Sequence, residues 1–212
     1  MTPRLALERG VEELALALPA SACETLLSYL ALLGKWNRTY NLTAIRDPLA
    51  MVSQHLLDSL AVVPHLPFAN VDARVADAGS GAGLPGIPLA VARPQWHISL
   101  VESNEKKAAF LRQAAIELGI ANIEVHEGRV EAWRPAKAFA LVISRAFAEL
   151  ADFIASCRHL LAPNGIFAAM KGKDPRAEIG RLPADVRCRE TMRLNVPFMD
   201  AERHLVLCEL QA

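Results

Sequence analysis

The chain has 212 residues, 52% of them hydrophobic and 6% aromatic, enough for one α/β domain with a modest extension. Lys+Arg and Asp+Glu each number 23, so the formal net charge is zero; a broad basic nucleic-acid footprint is absent, and only a local patch would serve. Cys23, Cys157, Cys188 and Cys208 form no C-x-x-C pair, which argues against zinc or redox chemistry and fits a reducing cytoplasm. The N-terminal residues lack a continuous signal-peptide core, and no apolar run approaches membrane-spanning length. A soluble cytoplasmic protein with no metal and no membrane partner is expected.

Residues 4–65 read as helices. Ser21 and Glu24 predict a capping box, followed at helical spacing by Leu26, Leu27, Leu30 and Leu33. A second apolar pattern runs through Met51, Val52, Leu56, Leu57, Leu60 and Val63, with Trp36–Thr43 as a polar, aromatic connection between the two. Pro64, Pro67 and an Asn70-Val71-Asp72 turn close this part. Residues 1–70 are therefore expected to form a helical extension and 71–212 one compact strand–helix domain.

From Ala73 strands and helices alternate. Strands are expected at Arg74–Ala78, His97–Glu102, Ile123–His126, Phe139–Ser144 and Ile166–Met170. Helices are expected at Pro85–Ala92, Asn104–Leu118 (closed by Gly119), Glu149–Leu161 and, briefly, Pro175–Leu182; Pro163-Asn164-Gly165 reads as a turn. Strands near Arg187–Val196 and His204–Leu210 follow without an intervening helix. This order predicts an α/β fold whose mostly parallel seven-stranded sheet ends in an antiparallel last strand.

The chemistry is organised around Val75–Pro88, V-A-D-A-G-S-G-A-G-L-P-G-I-P. Gly79, Gly81 and Gly83 alternate after a strand, so a ligand can lie almost on the backbone. Strand, glycine loop and helix in that order mark the nucleotide crevice of a doubly wound sheet. Counted from Gly81, the loop formally matches the dinucleotide pattern G-x-G-x-x-G through Gly86. Asp77 opposes that reading: a carboxylate there would repel a pyrophosphate but could meet the ammonium of a methionine tail. The pattern D-x-G-x-G-x-G resembles the first motif of class I methyltransferases, whose cofactor is S-adenosyl-L-methionine.

Ligands of open sheets bind outside the carboxyl ends of the strands. Glu102 ends strand two about 20 residues beyond the loop, the spacing at which an acid meets a ribose diol. Glu131 reads either as a contact to an adenine edge or as a surface acid, and the Val130 backbone would suit adenine equally. Arg145, just after the apolar strand, either enters the crevice to hold an anion or a base, or forms a salt bridge across the sheet. Lys171, Lys173 and Arg203 would add positive charge at the same edge.

The residues Trp36-Asn37, Asn41-Leu42-Thr43, His55, Asp58-Ser59-Leu60, the Asp77–Pro88 loop, Ile143-Ser144-Arg145-Ala146-Phe147 and Lys171-Gly172 resemble the glucose-inhibited division protein B family. These are bacterial 16S ribosomal RNA guanine-N7 methyltransferases of the small subunit, and the resemblance covers most of the chain. It implies a class I, Rossmann-like methyltransferase with Gly79, Leu84, Val130, Glu131 and Arg145 at S-adenosyl-L-methionine. It also implies 16S rRNA as substrate, within a small subunit or an assembly intermediate. Guanine N7 carries an in-plane lone pair and no proton, so its methylation needs no general base; alignment can supply up to about 7–11 kcal/mol. Phe147 or Arg145 is expected to stack on the guanine, with Lys171 on nearby phosphate. His55 and Asp58 read as a site pair or as a hydrogen-bonded structural pair, and Asn41 as a mouth residue or a turn cap.

Two rivals are a small-molecule methyltransferase with the extension as a lid and a non-catalytic, cofactor-binding ribosome assembly factor. A basic band around Arg145, Lys171 and Arg203 would favour RNA; an enclosed apolar pocket would favour a metabolite.

Overall fold

The computed structural model describes residues 1–68, 71–145 and 147–211, so Asn70 of the expected turn and Ala146 lie outside the described residues. Helices α1 (Pro3–Glu13) and α2 (Ala20–Tyr40) open the chain. A third helical segment combines α3 (Pro48–Met51), a π-helical stretch Val52–Leu57 and α4 (Asp58–Leu60). α1 starts as its sequence dictates: the Thr2 side chain accepts from the Leu5 N–H and Pro3 occupies the first turn.

Two expectations for α2 are corrected. No capping box forms, because Pro19 is the N-cap without a side-chain bond, and Ser21 lies inside the first turn, its carbonyl accepting from the Thr25 hydroxyl. Trp36–Tyr40 is helix rather than connection. The Trp36 ring packs on Phe110 and Tyr40, so tertiary contacts carry the helix through a polar stretch. α2 ends where Asn41 adopts the left-handed conformation (φ 50°); its side chain accepts from Arg46, and it is Asn37 Oδ1 that caps the turn by accepting from the Thr43 N–H.

The sheet strands are β1 (Arg74–Ala78), β2 (His97–Glu102), β3 (Ile123–Glu127), β4 (Phe139–Ser144), β5 (Leu161–Lys171), β6 (Val186–Arg193) and β7 (His204–Leu210). Their order is β3-β2-β1-β4-β5-β7-β6, with β7 antiparallel to both of its neighbours and the pairs from β3 through β5 parallel. Helices α5 (Gly86–Ala92), α6 (Glu105–Glu117), α7 (Leu150–Cys157) and the short α8 (Arg176–Ile179) connect them. The expected turn at Pro163–Gly165 is instead a bulge within β5, where the register against β4 jumps from Leu161 to Ile166. The helix expected to reach Leu161 stops at Cys157 and continues as a 3₁₀ turn.

Alternating side chains divide the core. Val75, Leu100, Ile143, Ala168 and Leu205 pack with α1, α2, the π-helical segment, α5 and α6. Ala76, Val101, Val142, Phe167 and Val206 pack with α7. Each buried leucine-sized side chain contributes about 1.5–3 kcal/mol. The N-terminal helices thus share one continuous core with a sheet face. No helix is long and apolar enough to cross a membrane among the described residues.

The chain leaves β1 toward β2 and β3, then returns to place β4 on the other side of β1. Strand order reverses between β1 and β4, the place where doubly wound sheets open a crevice.

Candidate cofactor and substrate site

At that reversal the glycine loop follows β1 and Arg145 follows β4. Gly79, Gly81 and Gly83 all have positive φ (72°, 59° and 95°), which a side chain would strain. A Cβ on Gly83 would sit 2.5 Å from Ile87, whereas one on Gly81 would meet only the Gly79 carbonyl, at 4.0 Å. The first is therefore set by packing, and the second leaves backbone open to a ligand. Ser80 Oγ bonds the Asp77 carbonyl at 2.9 Å, and Ser144 Oγ bonds the Ala78 carbonyl at 2.7 Å, joining the two strand ends.

The acidic candidates hold this loop. Glu102 Oε2 accepts from the Gly81 N–H and Oε1 from the Asn104 N–H, both at 2.8 Å. Asp77 is fully buried behind the loop, where Oδ2 accepts from the Gly86 N–H at 2.9 Å. Gly86 permits this approach, since a Cβ there would come within 2.7 Å of Asp77 Oδ2. Asp77 Oδ1 is buried without a hydrogen-bond partner, and burial pushes the carboxyl up to about 7, against the lowering effects of the Gly86 N–H and Arg145.

Two clefts meet here. The first, about 190 Å³, is lined by Leu42, Thr43, His55, Arg145 and the loop from Gly79 to Leu84 (Gly83 excepted). The second, about 330 Å³, is lined by Ile45, Gln54, Asp58, Lys171, Gly172 and Arg203, with His55 and Arg145 shared between the two. His55 and Arg145 form their common wall.

That wall is fixed from the third helical segment, by Gln54 of its π-helical stretch and Asp58 of α4. Asp58, 1% exposed, accepts from Arg145 through Oδ2 and from Arg203 through Oδ1, each at 2.9 Å; the arginine side chains are 27% and 24% exposed. Arg145 also donates to the Gln54 carbonyl at 3.0 Å. His55 and Asp58 therefore take separate partners instead of forming the expected pair. His55 Nδ1 can only donate to the Gln54 carbonyl (3.1 Å), so Nε2 accepts from the Thr43 hydroxyl (2.9 Å). Burial, helped by the Arg145 charge, lowers its pKa to about 4, so the ring is neutral at pH 7.

The remaining candidates are dispersed. Lys171 is buried, pairs with Glu178 at 2.8 Å and donates to the Phe147 and Ala148 carbonyls, so it braces the loop after β4 rather than standing open to phosphate. Phe147 is half-buried with its ring 5.4 Å from Phe153, and Lys173 is exposed. Val130 is buried in a 3₁₀ turn after β3, and Glu131 beside it is exposed. The expected band of Arg145, Lys171 and Arg203 does line one polar cleft, but Asp58 and Glu178 offset much of its charge. Sequence reasoning gave no role to Thr43 or Gln54, which line the clefts. Only Thr43 carried a signal, its place in the Asn41-Leu42-Thr43 run.

The profile of the GidB family, described as rRNA small subunit methyltransferase G, matches residues 22–206. The chain is 51% identical over 208 residues to the ribosomal RNA small subunit methyltransferase G of Burkholderia thailandensis, covering 96% of this chain and 90% of that one. It is likewise 51% identical over 205 residues to the protein of that name from Chromobacterium violaceum, covering 97% of each. Among solved structures, TrmN from Thermus thermophilus superposes with a TM-score of 0.59 at 19% identity, over 75% of this chain and 53% of that one. A S-adenosylmethionine-dependent methyltransferase from Geobacter sulfurreducens, in complex with S-adenosyl-L-homocysteine, gives 0.55 at 13% identity, over 85% and 98%. At these identities the structures speak to fold alone.

Proposed function

The chain belongs to the rRNA small subunit methyltransferase G family, and from that premise we propose that it transfers a methyl group from S-adenosyl-L-methionine to N7 of a guanine in 16S rRNA. The observation carrying the N7 reading is the chemistry of the common wall. His55 is neutral with both ring nitrogens engaged, and each Asp58 oxygen is held by an arginine. A nucleophile that had to lose a proton would find no free base there; N7 has none to lose.

The residues fit the cofactor. The open face of Gly81 and the smaller cleft suit a methionine end. At about 190 Å³ that cleft is below the roughly 300–1,000 Å³ of a full ligand pocket, so Glu102, Val130 and Glu131 at the neighbouring strand ends would hold the adenosyl end. Asp77, fully buried and lining neither cleft, supports the seat from behind by holding the Gly86 N–H. When bound, the cofactor supplies an electrophilic methyl on a sulfonium. Gly79, Gly81, Gly83 and Leu84 shape its seat, and Glu102 fixes the loop through Gly81.

The larger cleft then takes the base. Arg145, braced by Asp58, positions the guanine against the smaller cleft, and its planar guanidinium can stack on the ring. Phe147 lies on the same loop after β4, and Lys173 and Arg203 provide charge for flanking phosphates. A neutral protein relies on folded RNA shape more than on broad phosphate attraction, which favours a small subunit or assembly intermediate as substrate and a cytoplasmic setting.

The test is methyl transfer from labelled S-adenosyl-L-methionine to unmethylated small subunits and to their extracted RNA. About one methyl per subunit, recovered as 7-methylguanosine after nuclease digestion, is expected. Tight cofactor binding with no label in either RNA form would support the assembly-factor reading instead.

A further inference from the structure

Another groove lies outside the site just described. It encloses about 840 Å³ between the start of α1, one face of α2 and the segment from Ile45 to Met51. Leu27, Ala31, Gly34 and Ile45 contribute its small-residue and apolar floor, and Arg4, Lys35, Arg38 and Arg46 its cationic wall. The α2 positions recur three or four apart, so one helix face carries both floor and charge. No carboxylate lines the groove among the described residues. Arg4 is loosely paired with Glu8 and Glu24 (3.6 and 3.8 Å), and Arg46 touches Asn41 at 3.4 Å. Lys35 and Arg38 are exposed and make no ion pair among the described residues.

We propose that this groove is a second RNA-binding surface, holding a strand that flanks the target guanine. The inference rests on the RNA reading above and adds a site to it. Two observations identify the occupant. In a chain of zero net charge, four cations gather on one groove without a carboxylate, which complements a phosphate backbone. The groove is also continuous with the substrate cleft, because Ile45 lines both. A strand leaving the cleft passes over Ile45 and enters it.

Gly34 shapes the floor. A helical glycine weakens its helix, yet a Cβ at Gly34 would meet nothing within 4 Å, so no packing requires it. The bare backbone leaves a flat floor on which a base or ribose can rest.

The experiment compares the full chain with Lys35→Glu/Arg38→Glu and with Gly34→Leu. Binding to extracted unmethylated 16S rRNA and to unmethylated subunits is measured across a salt series, alongside affinity for S-adenosyl-L-methionine. The charge variant should bind RNA about tenfold or more weakly, with the slope of log Kd on log salt reduced by about two and cofactor affinity unchanged. Gly34→Leu favours the helix, so its several-fold weaker RNA binding, with an unchanged salt slope, would reflect a filled floor. RNA binding equal to the parent's in the charge variant would overturn the proposal. Weakening on subunits but not on extracted RNA would also overturn it, showing that a subunit protein occupies the groove. If the parent chain methylates neither RNA form, the RNA reading itself fails, whatever the variants do.

Discussion

The hydroxyl of Tyr29, fully buried in α2, donates a 2.7 Å hydrogen bond to the carbonyl of Ala82, in the middle of the glycine loop. The N-terminal helices and the glycine loop are thus joined by residues 53 apart in sequence. A buried carbonyl that loses its donor bears its desolvation cost in full.

Tyr29→Phe should therefore lower stability by about 1–3 kcal/mol and weaken S-adenosyl-L-methionine binding, with little change in the helical content of the protein. Urea unfolding and calorimetric titration check both effects. Unchanged cofactor affinity would show that α2 does not set the loop.

Asp58→Asn should leave Arg145 and Arg203 facing each other with only a neutral amide between them. Loss of one partner of a fully buried pair costs 3–5 kcal/mol, but these arginines are about a quarter exposed, so about 1–3 kcal/mol is expected. Because Asp58 holds Arg145 and lines only the larger cleft, kcat should fall by more than cofactor affinity does. A proportional loss of cofactor binding would place Asp58 in the wrong role.

Glu102→Gln turns one of two acceptor oxygens into a donor opposite a backbone N–H, either that of Gly81 or that of Asn104. Cofactor affinity should drop by about 1–3 kcal/mol. Glu102→Asp, which is too short to reach both groups, should rescue poorly. Full affinity in the Gln variant would remove Glu102 from the site.

Stability should respond to pH through two opposing groups. Asp77 has its folded pKa pushed up from 3.8 to about 7, so the folded chain holds the extra proton and this contribution is lost as pH rises from about 4 to 7. His55 has its folded pKa lowered from 6.5 to about 4; the unfolded chain holds that proton, and stability is gained as pH rises from about 4 to 6.5. The two nearly cancel in the parent chain. Asp77→Asn should make stability climb with pH in this window and His55→Gln should make it fall, each by up to about 1.4 kcal/mol per pH unit relative to the parent. Urea midpoints at pH 4.5, 5.5 and 6.5 show this; profiles parallel to the parent's would contradict it.

Local pattern carries much of the fold. β1, β2, β4 and β7 begin and end where apolar runs meet Gly, Pro, Asn or charged residues, and Asn104 caps α6 through the Lys107 N–H. Apart from the local shift of the α2 N-cap to Pro19, the misplacements come from long-range packing overriding local polarity. Trp36 on Phe110 extends α2, and pairing with β4 draws Leu161–Gly165 into β5. The site was legible where it depends on backbone, in the three glycines and the strand-end Glu102. It was not legible where it depends on distant partners. Asp58 reaches Arg145 and Arg203 across 87 and 145 residues, and no local spacing encodes that.

Single-turnover methylation of unmethylated small subunits tests the central claim most directly, with reduction and aniline cleavage locating any N7-methylguanine. The parent chain should give one cleavage at one guanine. Arg145→Ala should slow it by about a hundredfold or more, as loss of a positioning group can, while Lys173→Ala should slow it far less. A methyl group on another atom, or equal rates for the two variants, would contradict the assignment of the Arg145 cleft as the place where the base meets the cofactor.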